Sequence, residues 1–290
     1  MLSGAPHTEI SNQPLRYKFR EGGTFYGAAA LPISGGDSAS GVSTVCELSP
    51  ALPRSGAIAG AEMIAMTIGR SLMIFDVEGT LVDSTGLALR CWQETLQSFG
   101  FEFPLTTLQR HSGQDPHDML HELLPGRHVT RVVGRIIEMR GQRYREKYLP
   151  QVTAFADVRP LFERVKRARR LIALATSASA DELDHYLSLL NVGDLVDAMA
   201  CGDDVQRDKP DSALIEVALL RAGQVTAAEA VMIGDSPFDA IAAKRARVRA
   251  IGLLSGGFSR AELAASGCAA VYRDPADLLS HYEETARLLA

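Results

Sequence analysis

Residues 71–84 read SLMIFDVEGTLVDS. Leu72, Met73, Ile74 and Phe75 form an unbroken apolar run that ends on Asp76. Glu78 follows two positions later, and Gly79-Thr80 turn the chain. A short apolar run closed by a turn signal predicts a strand buried on both faces. In open parallel sheets ligands bind outside the carboxyl ends of the strands. The stretch therefore predicts two carboxylates side by side at a binding edge, and the second is Glu, not Asp.

Working outward, strands and helices alternate after residue 151. Strands are predicted at LIALAT (171–176), DAMAC (197–201), AVMIGD (230–235), VRAIGLL (248–254) and AAVY (269–272). Between them, amphipathic patterns predict helices at 157–168, 180–190, 211–223 and 237–247, the last with Pro237 in its first turn. SRAE at 259–262 has capping-box spacing, and a C-terminal helix closes the chain. This alternation predicts an α/β fold, a parallel sheet with helices on both faces.

An all-helical block interrupts the alternation. In STGLALRCWQETLQSFG (84–100) Ser84 can cap a helix. Ala88, Trp92, Leu96 and Phe99 share one face, and Gly100 stops it. Further helices are predicted at HDMLHELLP and at TRVVGRIIEMRGQRYREKY, the latter halted by Pro150. The expected organisation is a core of 67–83 and 152–290 with an inserted all-α cap at 84–151. Residues 1–66, rich in Gly, Ser, Ala and Pro, have a composition too poor in apolar pattern to offset ordering entropy. They are expected to be a disordered extension, or the product of a start placed upstream of Met63 or Met66.

Composition narrows the class of partner. The 290 residues are 46% hydrophobic and carry a formal net charge of −5, which gives no sign of a nucleic-acid binder. The four cysteines, at 46, 91, 201 and 268, lie far apart without C-x-x-C spacing, and read as reduced thiols of a cytoplasmic protein. No apolar run approaches the ~20 residues that span a bilayer, and no secretory pattern opens the chain. No membrane partner is expected. Oligomeric state is not legible.

The strand ends carry the chemistry. Asp76 and Glu78 follow the first strand, Thr176 and Ser177 follow LIALA, and Asp235 follows AVMIG with Asp239 four residues on. Lys209 stands in the RDKPD loop. Several carboxylates cannot ionise side by side without a cation. An oxygen-rich acidic site suits Mg²⁺, which shares its shell with water and substrate phosphate. A Thr hydroxyl, a backbone N–H and a Lys ammonium hold phosphate oxygens, and an Asp can attack phosphorus.

D-x-[DE]-G-T-L-V-D-S, h-h-h-A-T-S, K-P and G-D-S-x-x-D, in this order, resemble the four motifs of the haloacid dehalogenase superfamily of phosphatases. The resemblance covers residues 71 to about 290. The helical insert is similar to the small cap of the phosphoglycolate phosphatase and β-phosphoglucomutase branch. It implies a Rossmann-like three-layer core and Mg²⁺-dependent hydrolysis of a small phosphorylated metabolite through an aspartyl-phosphate. By that resemblance Asp76 is nucleophile and metal ligand. Glu78 is general acid/base and binds metal through its backbone carbonyl. Thr176 and the Ser177 N–H hold phosphate, Lys209 bridges phosphate and nucleophile, Asp235 is a metal ligand, and Asp239 is a second or water-mediated one.

The pattern departs at Glu78, where most relatives carry Asp. Glu also occurs there in the enolase-phosphatase branch, so the acid/base role stays available. The change counts against the mutase branch and the phosphonate-cleaving branch. A phosphosugar mutase and a non-catalytic binding protein remain alternative readings of the same residues.

In the insert, Arg127, Arg131 and Arg135 fall at i, i+4, i+8, and Arg140, Arg143, Arg145 and Lys147 extend the charge. Such runs usually face water; turned inward, this one would favour an anionic leaving group. RHSGQDPHDML (110–120) is a candidate substrate-reading loop, with Arg110, His111 and Gln114 as candidate contacts. His117 and His121 have a metal-capable spacing but no third ligand, and are expected at the surface.

Overall fold

The computed structural model describes residues 71–288 except 125, 127–131 and 224. The 1–66 extension, Arg127 and Arg131 lie outside the described residues. Six parallel strands form one sheet in the order β5-β4-β1-β6-β7-β8, with β1 at Leu72–Phe75, β4 at Leu171–Ala175 and β5 at Ala198–Ala200. The other half holds β6 at Ala230–Gly234, β7 at Arg249–Leu253 and β8 at Cys268–Tyr272. Each expected strand is present.

Strand alternation sorts the core into two layers. Met73 and Phe75 face a cluster with Phe162, Val165, Leu183 and Leu187, the inner faces of helices Val158–Arg167 and Ala180–Leu190. Leu72 and Ile74 face Leu214, Ile215, Ala218, Ala240 and Ala243 of helices Ala213–Ala222 and Pro237–Arg245. The small residues of the second layer let its helices lie close to the sheet. Phe75 and Phe162 pack as tilted rings with centroids 4.9 Å apart. The capping box at Ser259 forms: its Oγ accepts from Glu262 N–H at 3.2 Å and its N–H donates to Glu262 at 2.8 Å.

The helical insert has a smaller core of its own, with Trp92, Leu96, Leu108, Met119, Leu120, Val133 and Ile136. Its first helix, Thr85–Ser98, ends as expected at Gly100, whose φ is +84°. Its last helix, Val133–Arg143, passes into a π-helical turn at Tyr144–Tyr148 and a 3₁₀ turn at Leu149–Gln151 that contains Pro150. A two-stranded antiparallel neck, β2 (Val82–Asp83) with β3 (Thr153–Ala154), joins the chain entering the insert to the chain leaving it. Sequence reading missed this neck because two residues per strand carry no periodicity.

Cys91 and Cys268 carry thiols, not disulfides. Among the described residues no helix is long and apolar enough to cross a membrane. Ser259→Ala should lower the unfolding free energy by about 1 kcal/mol, and Phe162→Ala by roughly 3–5 kcal/mol. Urea titration measures both, and equal losses would contradict the packing described.

Candidate active site

Strand register sets the site. Phe75 lies level with Leu174 on β4 and Ile233 on β6. Asp76 therefore emerges between Ala175 and Gly234, and Thr176 and Asp235 follow one residue later on either side. The chain leaves β1 towards β4 but leaves β6 in the opposite direction, towards β7, so β1 and β6 flank the switch point where crevices open. The Asp76 N–H donates to the Ile233 carbonyl at 2.9 Å.

The turn after Asp76 is wound on one carbonyl: Val77 C=O accepts from the N–H groups of Thr80, Leu81 and Val82. Gly79 has φ +76°, and a Cβ there would lie 2.4 Å from Asp235 Oδ2 and 2.6 Å from Thr85 Oγ1. Only glycine lets the turn pass this close to Asp235. Ser84 precedes the helix but makes no cap bond with its side chain. Its Oγ instead accepts from Gly79 N–H at 3.1 Å, so the expected cap is spent on bracing the turn.

Three carboxylates and one ammonium then meet. Carboxylate oxygens of Asp76, Asp235 and Asp239 lie within 4.8 Å of one another, and all three residues are buried. Lys209 Nζ pairs with Asp76 Oδ1, and with Asp239 Oδ1 at 2.8 Å. Asp235 Oδ1 accepts from Thr80 Oγ1 at 3.0 Å. Asp239 Oδ2 accepts from the Ser236 hydroxyl at 2.7 Å and the Ser236 N–H at 3.1 Å. An all-oxygen, buried acidic set of this kind fits a hard divalent cation.

The charge balance shows in the acidities. Burial pushes Asp76 up to about 7; Lys209 opposes this, while Asp239 and Glu78 add to it. Burial, then Asp239 and Asp76, hold Asp235 well above the usual carboxylate range. For Lys209 burial acts to lower the pKa, but Asp239, Asp76 and Asp208 outweigh it and keep the ammonium charged.

Glu78 lines the same cavity but is not one of the three clustered acids. Its Oε1 accepts from Tyr186 Oη at 3.0 Å, and Tyr186 Oη lies 3.0 Å from Tyr144 Oη. Burial raises its pKa, against Arg140, while Glu182 raises it further and the Tyr186 bond lowers it. The longer side chain thus reaches a phenol on helix Ala180–Leu190. Sequence reading did not pick out Tyr186 or Tyr144. The available signal was a tyrosine on an apolar helix face, since a buried phenol needs a partner.

Thr176 is buried, and its Oγ1 accepts from Ala178 N–H at 3.2 Å. The cavity wall beside it is made by Ser177 and Ala178, and Ser177 also hydrogen-bonds Asp208. The insert supplies the opposite wall, including Leu89, Trp92, Leu108, Met119 and Arg140. His111 and Gln114 line the cavity, and Arg110 does not. His117 and His121 are exposed, as expected.

Hydrogen bonds also tie the insert to the loops around Lys209 and Gly256. Asp115 N–H donates to the Lys209 carbonyl at 2.8 Å, and Asp115 Oδ2 accepts from Asp208 N–H at 3.1 Å. Gln109 Nε2 donates to the Gly256 carbonyl at 2.7 Å. A Cβ on Gly256 would lie 1.9 Å from Asp235 Oδ2, so both ties end beside the carboxylate cluster.

Residues 73–253 match the haloacid dehalogenase-like hydrolase family. The chain belongs to that family. Pyrophosphatase PpaX of Bacillus velezensis is 27% identical over 182 residues, 62% of this chain and 82% of the relative. A phosphoglycolate phosphatase of Cereibacter sphaeroides is 29% identical over 217 residues, 72% of this chain and 97% of the relative. A hydrolase from Pseudomonas syringae superposes with TM-score 0.68 at 30% identity, over 74% of this chain and 99% of that one. A phosphatase thus stands among the relatives of this haloacid dehalogenase-like chain.

A carboxyl whose pKa rises on folding binds more protons in the folded state. Asp76, at about 7 against an ordinary 3.8, therefore favours folding below the unfolded value and loses that contribution as pH climbs through 7. Asp76→Asn removes this titration. With EDTA present, the Tm of the variant relative to wild type should rise as pH goes from about 5 to 8. Parallel profiles would show that Asp76 is not strained.

Proposed function

We propose that this hydrolase is a Mg²⁺-dependent phosphatase acting on a small-metabolite phosphomonoester through an aspartyl-phosphate on Asp76. The observation that carries the reading is the cluster of Asp76, Asp235 and Asp239 at the switch point, with Lys209 paired to Asp76 and Asp239. Asp76, Asp235 and Asp239 would hold Mg²⁺, with the Glu78 carbonyl as the ligand the family resemblance adds. Bound there, Mg²⁺ supplies positive charge against the phosphoryl oxygens.

Asp76 attacks phosphorus with one carboxylate oxygen while the bond to the leaving alcohol breaks. Burial favours protonated Glu78, which suits it to give that proton to the departing oxygen. As a carboxylate it then takes a proton from water, which attacks the phosphorus and frees Asp76 and inorganic phosphate. Lys209, kept cationic between Asp76 and Asp239, offsets charge on the transferring group. Thr176 and the Ser177 N–H orient the phosphate. The insert, 84–151, acts as a cap over the core of 67–83 and 152–290 and excludes water. The relatives named as pyrophosphatase and phosphoglycolate phosphatase support a small phosphorylated substrate. Unpaired thiols at residues 91 and 268 suit a cytoplasmic setting.

Phosphate release from p-nitrophenyl phosphate with Mg²⁺ tests the reading. EDTA and Asp76→Asn should each reduce turnover to background. Glu78→Gln should cost roughly 10²–10⁴-fold on alkyl phosphates, and less on p-nitrophenyl phosphate, whose leaving group departs without a proton. Glu78→Asp should fall between, because the shorter side chain loses Tyr186. Turnover that survives Asp76→Asn would refute the aspartyl-phosphate. Isomerised sugar phosphate would point to a mutase, and silence across a phosphate panel to a binding protein.

A further inference from the structure

The basic run of the insert divides into two kinds of residue. Arg135, Arg145 and Lys147 are exposed, and Lys147 pairs with Glu94 at 2.7 Å. Arg143 donates to Thr95 Oγ1 at 2.7 Å. Arg140 is different. Its guanidinium carbon sits 4.6 Å from the centre of the Tyr144 ring and 5.3 Å from that of Trp92. Its Nε is sealed from solvent without a hydrogen-bond partner. It lines the same cavity as Asp76 and Lys209. Among the described lysines and arginines, these two alone do so.

Lys209 is already engaged by Asp76 and Asp239, whereas Arg140 Nε has no hydrogen-bond partner. Glu78 and Glu182 act on its charge, and each has one oxygen hydrogen-bonded elsewhere. Glu78 Oε1 takes the Tyr186 phenol, and Glu182 Oε2 takes the Ser179 N–H. Two aromatic faces hold the guanidinium in the cavity wall by cation–π attraction. The planar fork of an arginine matches a carboxylate or phosphate in a way a lysine does not.

We propose that Arg140 binds a second anionic group, a carboxylate or a distal phosphate, on the leaving alcohol of the substrate. The inference rests on the phosphatase reading of this cavity and goes beyond it to the substrate class. The phosphoryl group occupies the Asp76–Lys209 end, and the anionic tail of the alcohol reaches the insert.

Three esters of matched length test this: 2-hydroxyethyl phosphate, 2-phosphoglycolate and ethane-1,2-diyl bisphosphate. Their leaving alcohols end in a hydroxyl, a carboxylate and a phosphate. In wild type, kcat/KM for at least one anionic ester should exceed that for the hydroxyl ester by roughly 10–100-fold, and the better anion identifies the tail. Arg140→Gln should lower that ratio at least about tenfold, chiefly through KM. Arg140→Lys, which keeps the charge but not the fork, should fall between, and it carries the comparison if the Gln variant does not fold. A wild-type ratio near one would overturn the inference. So would equal losses on all three esters, since that would make Arg140 a support for Glu78. Absence of turnover with these esters and with p-nitrophenyl phosphate would overturn the phosphatase reading, and this inference with it.

Discussion

A single ammonium, Lys209 Nζ, binds the buried carboxylates of Asp76 and Asp239 in the cavity wall. Asp235 stands within reach of both acids. Three acids and one base do not balance, and the imbalance orders the surroundings. Thr80 and Ser236 donate hydrogen bonds to the acids, and glycines at 79 and 256 clear room around Asp235. The site is left short of positive charge, which is the condition for taking up a cation and an anionic substrate together.

The rest of the molecule serves that cluster from two directions. From below, the parallel register of β1 with β4 and β6 brings Asp76, Thr176 and Asp235 to one edge. From above, the insert docks through Asp115 on the backbone of residues 208 and 209, and through Gln109 on Gly256. Asp115 also caps its own helix, accepting from His117 N–H at 2.8 Å. One carboxylate thus starts a helix of the insert and fastens it to the loop that carries Lys209. The two phenols, Tyr144 from the insert and Tyr186 from the core, meet over Glu78 and join the two walls.

Much of this was legible along the chain. Apolar runs of four or five residues located the sheet strands, because a strand buried on both faces must be apolar throughout. The acids stood out because they follow those runs at once. The neck at Val82–Asp83 and Thr153–Ala154 was not legible, since its pairing joins segments about 70 residues apart and neither strand is long enough to show a period. Ser84 read as a helix cap, and the turn at Gly79 claimed its hydroxyl first. Arg140 read as one more member of a basic run. Its separation from Arg145 and Lys147 is a matter of helix phase and of a π-helical turn, which composition does not record.

The sequence by itself determined the order of elements, the family and the identity of the acids and the lysine. Local pattern carries that information: burial demands apolar runs, turns demand glycine, and reactive groups stand where the runs stop. Tertiary structure alone decided which charges face each other. It placed Lys209 between Asp76 and Asp239, aimed Glu78 at Tyr186, and set Arg140 in the cavity wall with its Nε unpartnered. Those pairings depend on distances of a few ångströms between residues remote in the chain, and electrostatic energy in a buried site varies steeply with such distances.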